Sequence, residues 1–132
     1  MERKRIERLF AQLQKQPTCR FPKAGDELVA PAEHGVYVIR DRRNKVVHVG
    51  RTVRGRKGIS QRLYNHLRGQ SSFVNAHLDG HGERLRTGYT FQFLKVADDR
   101  ERALLEYFAT ARLCPVHLGL GALRNAGGTG LR

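Results

Sequence analysis

Acidic side chains are scarce in this 132-residue sequence: 12 Asp and Glu stand against 25 Lys and Arg, which leaves a formal charge of +13. A small body with that field is suited to a polyanion, with nucleic acid as the expected partner. Cysteine is nearly absent too. Cys19 and Cys114 allow at most one disulfide, so the fold is not a disulfide framework, and two free thiols in a reducing cytoplasm are expected. No apolar run approaches the roughly 20 residues of a membrane span, and no strongly apolar helix face accompanies the charge, so the chain is not expected to bind a membrane. The opening "MERKRIERLFAQLQKQ" is basic but has neither an apolar core nor a small-residue cleavage site, and does not read as a signal peptide. Internal repeats are missing. So is a phosphate-binding loop of the Walker type, because "GRKG" and "GLG" lack the lysine-serine ending.

What is present is a small mixed α/β pattern. Ile6, Leu9, Phe10 and Leu13 recur at helical spacing in a basic first helix. A proline-rich connection follows, and "GVYVIRD" and "KVVHVGRT" then flank the polar turn "RDRRNK", the pattern of a hairpin. "RTVRGRKG" reads as a loop entering a helix whose stripe is Ile59, Leu63 and Leu67, with Gly69 at its end. A short helix opened by Ser71 or Ser72, a strand in "GYTFQFLKV", and a helix capped by Asp98 or Asp99 and stopped by Pro115 complete the series. The expected architecture is a mainly antiparallel sheet of about three strands flanked by helices. Residues 1–33 form a basic helix and loop, 34–118 the central domain, and 119–132 a Gly-rich tail.

Three places could carry chemistry. Arg62 and His66 lie four apart beside the apolar stripe, so a guanidinium that grips phosphate and an imidazole that moves a proton share one helix face. The same pair also fits a plain solvated basic face. Glu106 is the sole carboxylate of the mainly apolar run "RALLEYFATA"; it suits a divalent cation, or an i, i+4 pair with Arg102. Tyr37 and His48 would face one end of the hairpin, as core rings or as a site. Zinc is not favoured: Cys114 and His117 are spaced C-x-x-H and His77 and His81 are i, i+4, with no second cysteine pair.

In order along the chain stand "GVY" (Gly35 to Tyr37), "HVG" (His48 to Gly50), Arg51, "ISQRLYNHL" and "ERALLEYFATARLCP". This series resembles the GIY-YIG nuclease family over roughly residues 35–115. The resemblance implies a GIY-YIG-like α/β fold and a metal-dependent DNA endonuclease, a phosphodiester hydrolase that leaves a 5′-phosphate and a 3′-hydroxyl. It assigns catalytic roles to Tyr37, His48 (where the family has its second tyrosine), Arg62, His66 and Glu106. Glu106 would bind one divalent cation, Mg²⁺ or Mn²⁺, and no small-molecule cofactor is implied. Arg51, Arg54, Arg56 and Lys57 would hold nucleic acid. His66 and the "HLGLG" tail look more like the restriction and homing endonuclease branch than the excision-repair branch. Where the family has an asparagine after the proline this chain has Leu118, with Asn125 seven residues on. That change leaves open a nucleic-acid-binding module of the same fold without turnover. Cutting both strands would call for a homodimer, and a cytoplasmic location is expected.

Overall fold

The computed structural model describes residues 1–53 and 56–118. Arg54 and the Gly-rich tail from residue 119, including Asn125, lie outside the described residues. The first helix, α1 (Glu2–Lys15), buries the anticipated stripe of Ile6, Leu9, Phe10 and Leu13. It is followed by β1 (Cys19–Arg20), β2 (Gly35–Arg40), β3 (Val46–Arg51), α2 (Gly58–Leu67) and α3 (Ser72–His77). A 3₁₀ turn (Gly82–Arg86), β4 (Thr90–Lys95) and α4 (Asp99–Leu113) close the order.

The strands form one antiparallel sheet in the order β1-β4-β2-β3. The sheet thus has four strands where three were expected. The extra one, β1, is a two-residue pairing of Cys19 and Arg20 with Phe91 and Thr90, too short for any alternation to reveal. The β2–β3 turn is closed by Asp41, whose carboxylate accepts from the backbone N–H of Arg43 and Lys45, with Asn44 taking a positive φ of 67°.

Alternation along the strands divides the core in two. Tyr37, Ile39 and Phe91 point toward α2, α3 and the 3₁₀ turn, where they meet Ile59, Leu63, Phe73 and Leu85. Val36, Val38 and Val49 point the other way, toward α1 and α4. The N-terminal helix is therefore part of the body: it packs on α4 and edge-on through Phe10 against Phe108, ring centroids 5.3 Å apart.

Two buried devices fix the end of the sheet that matters below. The Arg102 guanidinium, 3% exposed, donates to the carbonyls of Thr52, Val96 and Ala97 at 2.9–3.0 Å and pairs with Asp99. That ties the first turn of α4 to the ends of β3 and β4. Gly35 lies so close to β4 and α2 that a Cβ there would sit 2.1 Å from the Leu94 carbonyl oxygen and 2.7 Å from Ile59 Cδ1.

Candidate active site

β3 is an edge strand, and the site forms where both faces of the sheet meet at that edge. In the β2–β3 register Tyr37 lies opposite Gly50 and Ile39 opposite His48. The Tyr37 ring lies over Gly50, where a Cβ would come 2.5 Å from the phenol oxygen and 3.0 Å from His48 Nε2. A glycine is required there because the ring occupies the space of a side chain. Tyr37 and His48 stand with ring centroids 5.8 Å apart, as the hairpin pattern suggested.

The second helix supplies the rest of this face. His66 is fully buried, and its Nε2 lies 2.7 Å from the Tyr37 hydroxyl. Its Nδ1 lies 2.7 Å from Ser71 Oγ. Ser71 also caps α3 by accepting from the Val74 N–H. In the tautomer with the proton on Nδ1, His66 donates to Ser71 and leaves Nε2 as acceptor for the tyrosine proton. Arg62, one turn before His66, is half-buried and acts electrostatically on Tyr37, His48, His66 and Glu106 alike. Arg62 and His66 are therefore not a solvated basic face.

The other side of the sheet brings the carboxylate. Arg51 alternates away from Gly50 and pairs through Nη1 with Glu106 Oε1 at 2.5 Å, while its guanidinium lies 5.4 Å from the Tyr107 ring centre. The pair with Arg102 considered for Glu106 does not form, because Arg102 is spent on backbone carbonyls. Glu106 and His48 line a common cavity of about 620 Å³ between β3 and α4, with Tyr107, Thr110, His117 and Leu118. Glu106 thus shares a cavity wall with His48, and its charge acts on the Tyr37 phenol.

Burial governs the protonation of the group. Desolvation raises the Tyr37 pKa to about 12, against the opposing pull of Arg62. Desolvation, with His117 and Arg62, lowers that of His48 to about 3. His66 is pushed well below the ordinary imidazole range by burial, then by His48, Arg62 and His117. Both histidines are neutral at pH 7, so neither titrates near its reference value of about 6.5. At Glu106 desolvation outweighs the attraction of Arg51 and Arg62 and raises the pKa. The same ion pair, with Tyr107, raises that of Arg51.

For a metal, Glu106 offers one carboxylate with Oε2 not engaged among the described residues. Among the described residues no three His, Cys, Asp or Glu side chains converge there. A single carboxylate fits Mg²⁺, which keeps several waters and takes its remaining ligands from substrate phosphate.

Two members of the site had no distinct signal in the sequence. Ser71 looked like a helix cap and is also the partner that orients His66. His117 stood out only for its spacing from Cys114; its ring lies 5.5 Å from that of His48, and its Nε2, like both nitrogens of His48, is shielded without a partner among the described residues. His48 also stacks on Phe73, with centroids 4.7 Å apart and planes 13° from parallel. Arg56 and Lys57 are exposed at the start of α2.

No protein-family model matches the chain, and no curated protein sequence does. Among solved structures it is similar to the GIY-YIG N-terminal endonuclease domain of UvrC from Thermotoga maritima, described as bound to its catalytic divalent cation, magnesium. The identity is 24%, over 70% of this chain and 90% of that one, with a TM-score of 0.50. The chain therefore has the GIY-YIG fold.

Proposed function

We propose that the protein is a metal-dependent endonuclease that hydrolyses phosphodiester bonds in DNA. The observation that carries this reading is the Tyr37–His66 hydrogen bond of 2.7 Å, set beside Arg62 and within electrostatic reach of Glu106. A fold alone supports many functions; a phenol, an imidazole, a guanidinium and a carboxylate drawn together from three segments support this one.

With a pKa near 12, Tyr37 is no phenolate at neutral pH. It accepts a proton from the attacking water as it passes its own to His66 Nε2, and Ser71 holds the imidazole in the receptive tautomer. His66 takes this role over His48, whose nitrogens make no such bond. The low basicity of His66 means that it keeps the proton only briefly. Arg62 stabilises negative charge on the phenol and on the phosphoryl oxygens. Glu106 would hold Mg²⁺ or Mn²⁺, which would neutralise phosphoryl charge and acidify water. The products are a 5′-phosphate and a 3′-hydroxyl. Arg56 and Lys57 hold the DNA backbone, and kinship with the restriction and homing branch is inferred from His66 alone.

A second reading is a DNA-binding module without turnover. It is favoured by Leu118, an apolar residue 37% exposed on the cavity that Glu106 lines, and by the engagement of Glu106 with Arg51. Supercoiled plasmid distinguishes the two. The enzyme nicks it with Mg²⁺ or Mn²⁺, not with EDTA, and loses the activity in Glu106→Ala. Retention on DNA without nicking under any metal establishes the module and overturns the enzyme.

A further inference from the structure

We propose that the outer face of α2 is a track for the phosphates of one DNA strand, running from Lys57 at the N-terminal end of the helix to Arg68 at its C-terminal end. Two concavities meet on this face. One holds Arg51, Arg62, Asn65 and Gln61; the other, of about 690 Å³, holds Gln61, Arg56, Lys57, Ser60, Tyr64 and Arg68. Gln61 belongs to both, so the second concavity continues the one that Arg51 and Arg62 line. Among the described residues its lining has three cations, three hydrogen-bonding side chains and no carboxylate. A cationic surface laced with small polar donors suits phosphate oxygens, which accept such bonds without regard to base sequence.

The far end of the track is fixed in advance. Arg68 lies with its guanidinium 5.4 Å from the centre of the Tyr64 ring, and the Tyr64 hydroxyl accepts from the Leu28 N–H. A guanidinium held over an aromatic face loses less freedom on binding than a lysine waving in solvent. From Lys57 to Arg68 the helix advances about 16 Å at 1.5 Å per residue. That matches about five phosphates of one strand at 3.4 Å each.

The proposal rests on the nucleic-acid reading above but not on turnover, and its test separates the two. Binding is measured in EDTA with Glu106→Gln protein, by fluorescence anisotropy on a labelled DNA duplex, as salt is raised. Changing Arg56, Lys57 and Arg68 together to Ala is expected to lower the slope of log K against log salt by about 2.7, at 0.9 per phosphate lost. The comparison protein carries Arg3, Lys4 and Arg8→Ala. These are exposed residues of α1, on the opposite side of the sheet, and their removal deletes the same charge. Its slope is expected to stay within about 1 of the parent. An unchanged slope in the α2 variant, or an equal fall in both, overturns the track and assigns binding to the overall field. Should the triple α2 variant melt at room temperature, the single substitutions serve, each expected to lower the slope by about 0.9.

Discussion

Acid should loosen this protein through histidines that the fold holds neutral. The pKa of His48 is lowered to about 3 in the folded chain, below the unfolded value of about 6.5. A group lowered in this way contributes stability that is fully present above pH 6.5 and is lost as pH falls toward the folded value, because the unfolded chain takes up a proton that the folded chain refuses. Each pH unit in that window is worth about 1.36 kcal/mol. At pH 5 the loss from His48 alone is therefore about 2 kcal/mol. His66 is shifted in the same direction and adds to it. Glu106, whose pKa is raised, acts with the opposite sign: its contribution is present at low pH and lost as pH rises through its folded value. His48→Phe removes one titration and leaves the rest. The phenyl ring keeps the stack on Phe73 and replaces two shielded nitrogens that have no partner among the described residues. Urea unfolding at pH 7 and pH 5 reads the difference. The native chain should lose about 2 kcal/mol more than the variant over that interval, a relative midpoint shift of about 1 M. Equal pH dependence in the two proteins would mean that His48 titrates freely in the fold, and the enclosed site described here would be wrong.

Four other substitutions probe the same architecture. Gly50→Ala places a Cβ 2.5 Å from the Tyr37 hydroxyl oxygen; overpacking of this kind costs about 1–3 kcal/mol and should lower the melting temperature by several degrees. Tyr37→Phe and His66→Gln should each slow plasmid nicking by about 10²–10⁴-fold while DNA retention in EDTA is kept, and full activity in both would refute the proton path. Arg102→Met strands three backbone carbonyls that now share one guanidinium. Calorimetry should find a loss of more than about 3 kcal/mol, and nicking should fall as well, because α4 carries Glu106.

Much of the scaffold was legible because single elements declare themselves locally. The α1 stripe of Ile6, Leu9, Phe10 and Leu13 and the α2 stripe of Ile59, Leu63 and Leu67 follow from helical period alone. The Asp98 cap and Pro115 bound α4 as their residue types favour, although the left-handed Cys114 between helix and proline is not a residue type that signals such a turn. The fourth strand was not legible: Cys19 and Arg20 become a strand only because β4 is there to pair with them. Partner choice among charges was hidden for the same reason. Arg102 is a near neighbour of Glu106 in sequence, yet Arg51, 55 residues away, takes the carboxylate. Which arginine wins is decided by how α4 crosses the sheet, and no periodicity encodes that crossing. Ser71 is a related case, since its cap was readable and its bond to His66 was not.

The geometry of an edge strand explains why the candidate site draws on segments so far apart. Within a sheet, alternation sends neighbouring residues to opposite faces, and a site on one face cannot use the other. At β3 that separation ends. His48 and Gly50 serve the α2 side, with Gly50 yielding its space to Tyr37, while Arg51 turns to α4 and meets Glu106. Since no described strand lies beyond β3, the carboxylate from α4 can share a cavity at that edge with the His48 imidazole of β3 itself. The edge is protected by the chain itself: the backbone N–H groups of Val116 and His117 donate to the carbonyls of Val46 and Val47. That contact answers the exposed-edge hazard, and it also carries the His117 ring to the cavity wall opposite Glu106. Helix, hairpin and C-terminal segment therefore converge because one strand is left at the border of the sheet, and the two glycines of the hairpin are what that convergence demands of the backbone.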